Sequence, residues 1–172
     1  MVIRELTTDE CSDILRKASI ARLACARDNQ PYVVPVHVYF DGHSLYSFST
    51  LGQKIAWMRQ NPRVCVQLDD IVDRSHWATV VAFGHFEELL HLPGNDASRR
   101  RARELFERAP EWWQPASSHV RRHDARMPVI YRIGIDTMSG RVAEHPEPGS
   151  SARPWWLDLL FESGEVARDQ DG

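Results

Sequence analysis

Lysine is nearly absent from this 172-residue chain: Lys17 and Lys54 stand against nineteen arginines. The formal net charge is -3, so the basic excess that a general nucleic-acid or anionic-membrane binder needs is missing. No apolar run approaches the roughly 20 residues required to cross a bilayer, which argues against a spanning helix. The opening residues, MVIRELTTDECSDILRKA, mix acids into a stretch with no apolar block, so no signal peptide is expected and the predicted compartment is the cytoplasm. Cysteine is limited to Cys11, Cys25 and Cys65, widely spaced and without a CxxC pair. That excludes a disulfide framework and a cysteine-built zinc site, and predicts Cys25 and Cys65 to be small core residues on strands. The phosphate loop G-x-x-x-x-G-K-[ST] is also missing, which removes the nucleoside-triphosphatase reading.

What the chain does contain is short alternating runs separated by turn chemistry. A T-x-x-E capping box at Thr7 and Glu10 opens a helix whose apolar face is Cys11, Ile14, Leu15 and Ala18. Strands are predicted at about residues 20–26, 31–39 and 44–49, divided by RDNQ and by FDGH with its Asp41-Gly42 hairpin signal. Pro35 lies inside the second strand and cannot donate to a ladder, so that strand should be irregular or at an edge. A short helix, LGQKIAWMRQ, ends at Asn61-Pro62. RVCVQLDD alternates as a strand, and HWATVVAFGHFEELL reads as a long one with Gly84 as a bulge or point of close approach.

Beyond residue 91 a helix is expected with Ala102, Leu105 and Phe106 toward the core. Its RRRAR run is read as a solvated face, because Glu104 and Glu107 break up the charge. MPVIYRIGIDTMSGRVAE predicts two short strands with a break at Ser139-Gly140. The body, 1–145, is expected to be one domain, mainly β with flanking helices, its six or seven antiparallel strands forming a closed or split barrel. Residues 146–172 form a tail rich in Pro, Ser, Glu and Asp that is expected to be partly disordered, interrupted only by PWWLDLLF.

The stretch SFSTLGQK, residues 47–54, carries the chemistry. A structural account makes Thr50 the helix N-cap with Gln53 reaching back, a second capping box. A functional account adds the hydroxyls of Ser49 and Thr50, a glycine and the Lys54 ammonium to the unpaired N–H groups and partial positive charge of a helix start, which together suit a phosphate. Other attractive residues carry less. His119 and His123 are four apart but lie in a polar stretch without a third ligand, so no metal site is expected. The paired tryptophans Trp112–Trp113 and Trp155–Trp156 read as packing anchors, with Trp112 or Trp113 placed to close over a bound ring.

The series QPY, a Val-Pro-Val strand, DG, YSFST, a lysine on the next helix, NPRV and VVAFGHFEEL resembles the pyridoxamine 5'-phosphate oxidase-like family, the FMN-binding split barrels, and in PEWWQPA and VIYRIGIDTMSGR its small prokaryotic, nitroimidazole-resistance-like members. The resemblance covers about residues 5–144. It implies an antiparallel split barrel and a homodimer with FMN at the subunit interface. It places Ser49, Thr50, Gln53 and Lys54, with Phe48 leading into them, at the FMN phosphate. Val34, Pro35, Val36 and His37 would lie along the isoalloxazine ring, and Trp77 and Thr79 on a further strand would touch the flavin. Relatives often carry a side-chain amide at the position of Thr79, and several carry an arginine as a second phosphate ligand, where this chain has Ile55 after Lys54.

The substrate-binding Arg and His of the true oxidase have no counterpart in PWWLDLLFESGEVARDQDG. The implied activity is therefore flavin-based electron or hydride transfer with a small-molecule substrate or electron donor, not oxidation of pyridoxamine phosphate. No acid or base is assigned. A deazaflavin or haem in the same cleft, with His37 as a candidate axial ligand, and a non-enzymatic flavin carrier or sensor are the alternatives.

Overall fold

A computed structural model describes residues 2–108 and 128–144. The strands are β1 (Val2–Glu5), β2 (Ile20–Arg27), β3 (Gln30–His37), β4 (Tyr39–Phe40), β5 (Ser44–Ser49), β6 (Arg63–Ile71), β7 (Trp77–Glu88) and β8 (Val129–Glu144). The helices are α1 (Thr8–Lys17), α2 (Gln53–Gln60) and α3 (Asp96–Glu107). Both tryptophan pairs, His119, His123 and the tail from His145 lie outside the described residues.

One antiparallel sheet runs β3-β2-β6-β7-β8-β5-β4, with β1 added to β8. Its two ends, β3 and β4, do not pair with each other, and the sheet curls around its main core: this is the split barrel with flanking helices that the strand pattern predicts. Among the described residues eight strands form rather than six or seven, because β1 joins the far end of β8 and the two-residue β4 separates from β3. The turns are the expected ones. Asp28 and Asn29 take φ of 51° and 62°, the left-handed pair a two-residue hairpin needs. Asp41 Oδ1 accepts from the amides of His43 and Ser44, each at 2.8 Å. Pro35 sits on edge strand β3, where its missing N–H costs no ladder bond on the open side.

The expected break at Ser139-Gly140 does not occur. Residues 129–144 form one continuous strand that pairs in turn with β5, β7 and β1. Gly140 serves close packing instead: a Cβ there would lie 2.7 Å from Leu6 Cδ1 and 2.9 Å from Cys11 Sγ, so its absence lets α1 settle onto the strand. The irregularity falls at Gly84, as anticipated. The register shifts between Phe83 and Gly84, and a Cβ on Gly84 would stand 2.1 Å from the Gly134 carbonyl oxygen.

Alternation sorts the sheet into two faces. Leu23, Val36, Leu45, Val66, Val80 and Ile133 point into the core, which α1 closes with Cys11 and Leu15 and α2 with Ile55 and Met58. α2 also docks on the first hairpin through Trp57, whose ring meets Tyr32 at 5.5 Å and lies under the Arg27 guanidinium at 5.2 Å. On the opposite face, α3 covers the β5–β8 region with Ala102, Leu105 and Phe106 against Tyr46 and Leu89. The rest of that face carries Ile20, Val33 and Phe83, each more than half exposed. Cys25 is buried as expected. Cys65 is only half-buried, because its odd-numbered place on β6 turns it to the outer face beside Phe83.

Candidate functional site

The turn from β5 into α2 is built differently from the expected capping box. Gly52, not Thr50, is the N-cap, and no side chain hydrogen-bonds the end of the helix. The Ser49 hydroxyl turns back to the Thr50 carbonyl at 3.0 Å. Gly52 has φ -164°, ordinary extended backbone, and a Cβ there would meet nothing closer than the Thr50 oxygen at 4.0 Å. The first turn of α2 also lacks an acidic residue. A helix start presents N–H groups with no intrahelical acceptor and about half a positive charge, and among the described residues no side chain compensates that charge at α2.

Lys54 occupies this first turn. It is partly buried, and burial lowers its pKa below the ordinary lysine value. Among the described residues it makes no ion pair, and its one electrostatic neighbour is the Cys25 thiol, itself pushed up by burial. A half-buried ammonium without a carboxylate is costly unless something negative arrives. Deeper in the core, the Ser47 and Tyr131 hydroxyls sit opposite each other across the β5–β8 pair, both buried and without a well-formed hydrogen bond. Burial pushes the Tyr131 phenol up to about 12.

The other predicted residues divide by face. Val34 and Val36 align with Leu23 and Ala21 and turn toward the core below α2. Pro35 and His37 align with Arg22 and Ile20 on the outer face, where burial lowers the His37 pKa. As an edge strand, β3 has one row of backbone groups without a sheet partner. The Phe48 ring turns to α3 and meets Phe106 edge-on at 5.1 Å, so what Phe48 brings to the turn is its backbone. Trp77 and Thr79 lie on the outer face of β7, lining a cavity of about 550 Å³ with Gln67, Asp69 and Arg74. Within one chain, the Lys54 turn and the Thr79 cavity therefore belong to opposite sides of the sheet.

Gln67 went unnoticed in the sequence. Its amide nitrogen donates to Asp69 and, at 3.2 Å, to the Thr79 hydroxyl, while Arg22 holds Asp69 at 2.6 Å. The alternation of RVCVQLDD was the available signal: it sends Gln67 to the same face as Thr79, and only the strand pairing adds that the two are neighbours. A second cavity, of about 540 Å³, opens between α2, the end of β7 and α3, with Leu51 and Val129 at the margin nearest the Lys54 turn. Among the described residues no group of three His, Cys, Asp or Glu side chains is placed to hold a metal, and no helix is long and apolar enough to cross a membrane.

Comparison with known proteins agrees with this architecture. Residues 7–142 match the pyridoxamine 5'-phosphate oxidase family. The uncharacterized protein RA0666 of Rhizobium meliloti is 36% identical over 146 residues, covering 83% of this chain and 97% of that protein. A FAD-binding protein from Mesorhizobium loti has 39% sequence identity and a TM-score of 0.69, over 84% of this chain and 99% of its own. The FAD and heme binding protein of Mycobacterium smegmatis, at 18% identity and a TM-score of 0.60 over 94% of this chain and 80% of its own, shares the fold.

Proposed function

The chain belongs to the pyridoxamine 5'-phosphate oxidase family, and from that premise we propose that it binds a flavin whose phosphate sits at the start of α2. The observation that carries this reading is the half-buried Lys54 ammonium, without a carboxylate partner among the described residues, beside a helix end that no side chain caps. Lys54 supplies the charge, the amides of the first turn of α2 point donors at the phosphate oxygens, and the Ser49 and Thr50 hydroxyls add further contacts. The ring system then extends over Val34–His37, where the outer edge of β3 faces its polar rim. The moiety recognised is flavin mononucleotide, either as FMN itself or as the corresponding half of FAD; the Mesorhizobium relative favours the second.

The site is completed by a second copy of the chain. The Thr79 and Gln67 cavity faces away from Lys54 within one protomer, and the outer face around it carries the exposed Ile20, Val33 and Phe83 that a partner would cover. Packed on that face, a second copy brings its Lys54 turn toward the Thr79 cavity of the first. The bound flavin would supply electron or hydride transfer; the protein's part is to hold the phosphate, orient the ring and exclude water from it. The function is therefore that of a flavin-dependent oxidoreductase working on a small-molecule substrate.

The test is the absorption spectrum of the purified protein before and after mixing with FMN or FAD and desalting. Flavin bands at about 370 and 450 nm should survive desalting and should be lost in the Lys54→Ala, Thr50→Ala double variant. A protein that retains neither flavin sinks the proposal.

A further inference from the structure

We infer that the flavin is FAD, and that its adenylate half occupies the cavity between α2 and α3; this rests on the phosphate site proposed above. The cavity of about 540 Å³ is within the range of small-ligand pockets. It starts at the phosphate turn: Leu51 belongs to that turn, and Val129 is the cross-strand partner of Ser49. A ligand held by Lys54 thus reaches the cavity by continuing past its phosphate. FMN ends at that phosphate and leaves the cavity unused.

The lining suits a nucleotide. Leu51, Leu90 and Ile130 give an apolar wall, and the first two remain 42% and 48% exposed, which a flat purine would correct. The Arg99 guanidinium is fixed in place, donating to the Leu89 carbonyl and, at 2.7 Å, to His91 Nε2. A guanidinium only donates, so His91 Nε2 accepts there and its ring lines the cavity wall. Arg59 is held by both carboxylate oxygens of Glu88, at 2.7 and 2.8 Å. Two guanidinium groups against one carboxylate leave the rim with a net positive charge. That answers the chain's apparent shortage: Lys54 is one cation, a diphosphate carries a second negative charge, and Arg99 stands on the side where that charge would lie.

Flavin fluorescence titration of the full chain with FMN and FAD decides it. FAD should bind at least about tenfold tighter than FMN. Adenosine, which has no phosphate, should compete with FAD and leave FMN binding unchanged. Leu90→Trp, which fills the cavity from a partly exposed position, should bring FAD down to the affinity of FMN without altering FMN binding, and His91→Ala should narrow the gap. Equal affinities for the two flavins in the unmodified protein, or no competition by adenosine, overturn the adenylate assignment while the phosphate site stands. Failure to bind either flavin overturns both.

Discussion

Two helices in this fold begin in opposite ways. α1 starts at Thr7, whose hydroxyl accepts from the Glu10 amide while the Glu10 carboxylate accepts from the Thr7 amide at 2.8 Å. Arg4 of β1 then grips both oxygens of that carboxylate, at 2.9 and 3.1 Å. α2 starts at Gly52 with no side-chain cap, no acid in its first turn, and a lysine where α1 has Asp9. The first end is closed by its own chain. Among the described residues no side chain closes the second, whose donors and partial charge stay available at a small cost to stability. The contrast sets a helix start closed by its own side chains against the one proposed to hold the flavin phosphate.

The sharpest way to break the contrast is to give α2 the chemistry of α1. Gly52→Asp places a capping carboxylate where the phosphate should bind, in a backbone conformation any residue adopts and with room for the side chain. The ligand-free protein should gain a few tenths of a kcal/mol in thermal or urea unfolding, as expected when an acid replaces glycine at an N-cap. Flavin affinity should fall by about 100-fold or more, since a donor set is occupied and a repulsive charge added. Retained binding in a stabilised variant would show that the open end is not the phosphate site.

Removing the charge alone should do less. Lys54→Met keeps the apolar stem and deletes the ammonium, and is expected to cost about 10- to 100-fold in flavin affinity, the usual worth of a hydrogen bond to a charged group. The pH dependence sharpens the point. Burial lowers the Lys54 pKa, so the charged form proposed to hold phosphate is lost as pH rises, earlier than for an exposed lysine. Flavin affinity should therefore decline on the alkaline side, and Lys54→Arg should push that decline upward. An affinity flat with pH in the unmodified protein would remove Lys54 from the phosphate.

The two helix starts also mark what could be read in the sequence. T-x-x-E at Thr7 was legible because a capping box is local: four residues contain both bonds. T-x-x-Q at Thr50 has a similar spelling and failed, because β5 ends at Ser49 but the helix begins two residues later than the motif requires, which makes Gly52 the cap. Pro35 at an edge and Gly84 at a bulge were legible for the same reason as Thr7, each being a backbone restriction carried by one residue. Gly140 was misread as a break, since a glycine that admits a packed helix and one that ends a strand look alike without the helix. The division of Lys54 and Thr79 between faces, and the contact of Gln67 with Thr79, depend on strand order β2-β6-β7, which no local pattern encodes.

On the closed side of the comparison the expected effects are smaller and concern stability alone. Thr7→Ala removes the hydroxyl cap and should cost about 1 kcal/mol in unfolding without changing flavin affinity; a change in affinity would mean the two helix starts are coupled. The smallest effect is present at neutral pH and fades in acid. Arg4 and the Thr7 amide hold the Glu10 carboxyl down to about 2 from an ordinary 4.5. A carboxyl whose folded pKa is depressed contributes stability that is complete above about pH 4.5 and fades as pH falls toward about 2, because the unfolded chain takes up its proton first. Glu10→Gln should thus lower stability at neutral pH and flatten this part of the acid limb, so that the two proteins converge near pH 2. Glu10 is exposed, so solvent screens the pair and the neutral-pH difference stays modest. Urea unfolding of both proteins between neutral pH and that limit measures it, and parallel acid limbs would place the work of this cap in its geometry and not in its charge.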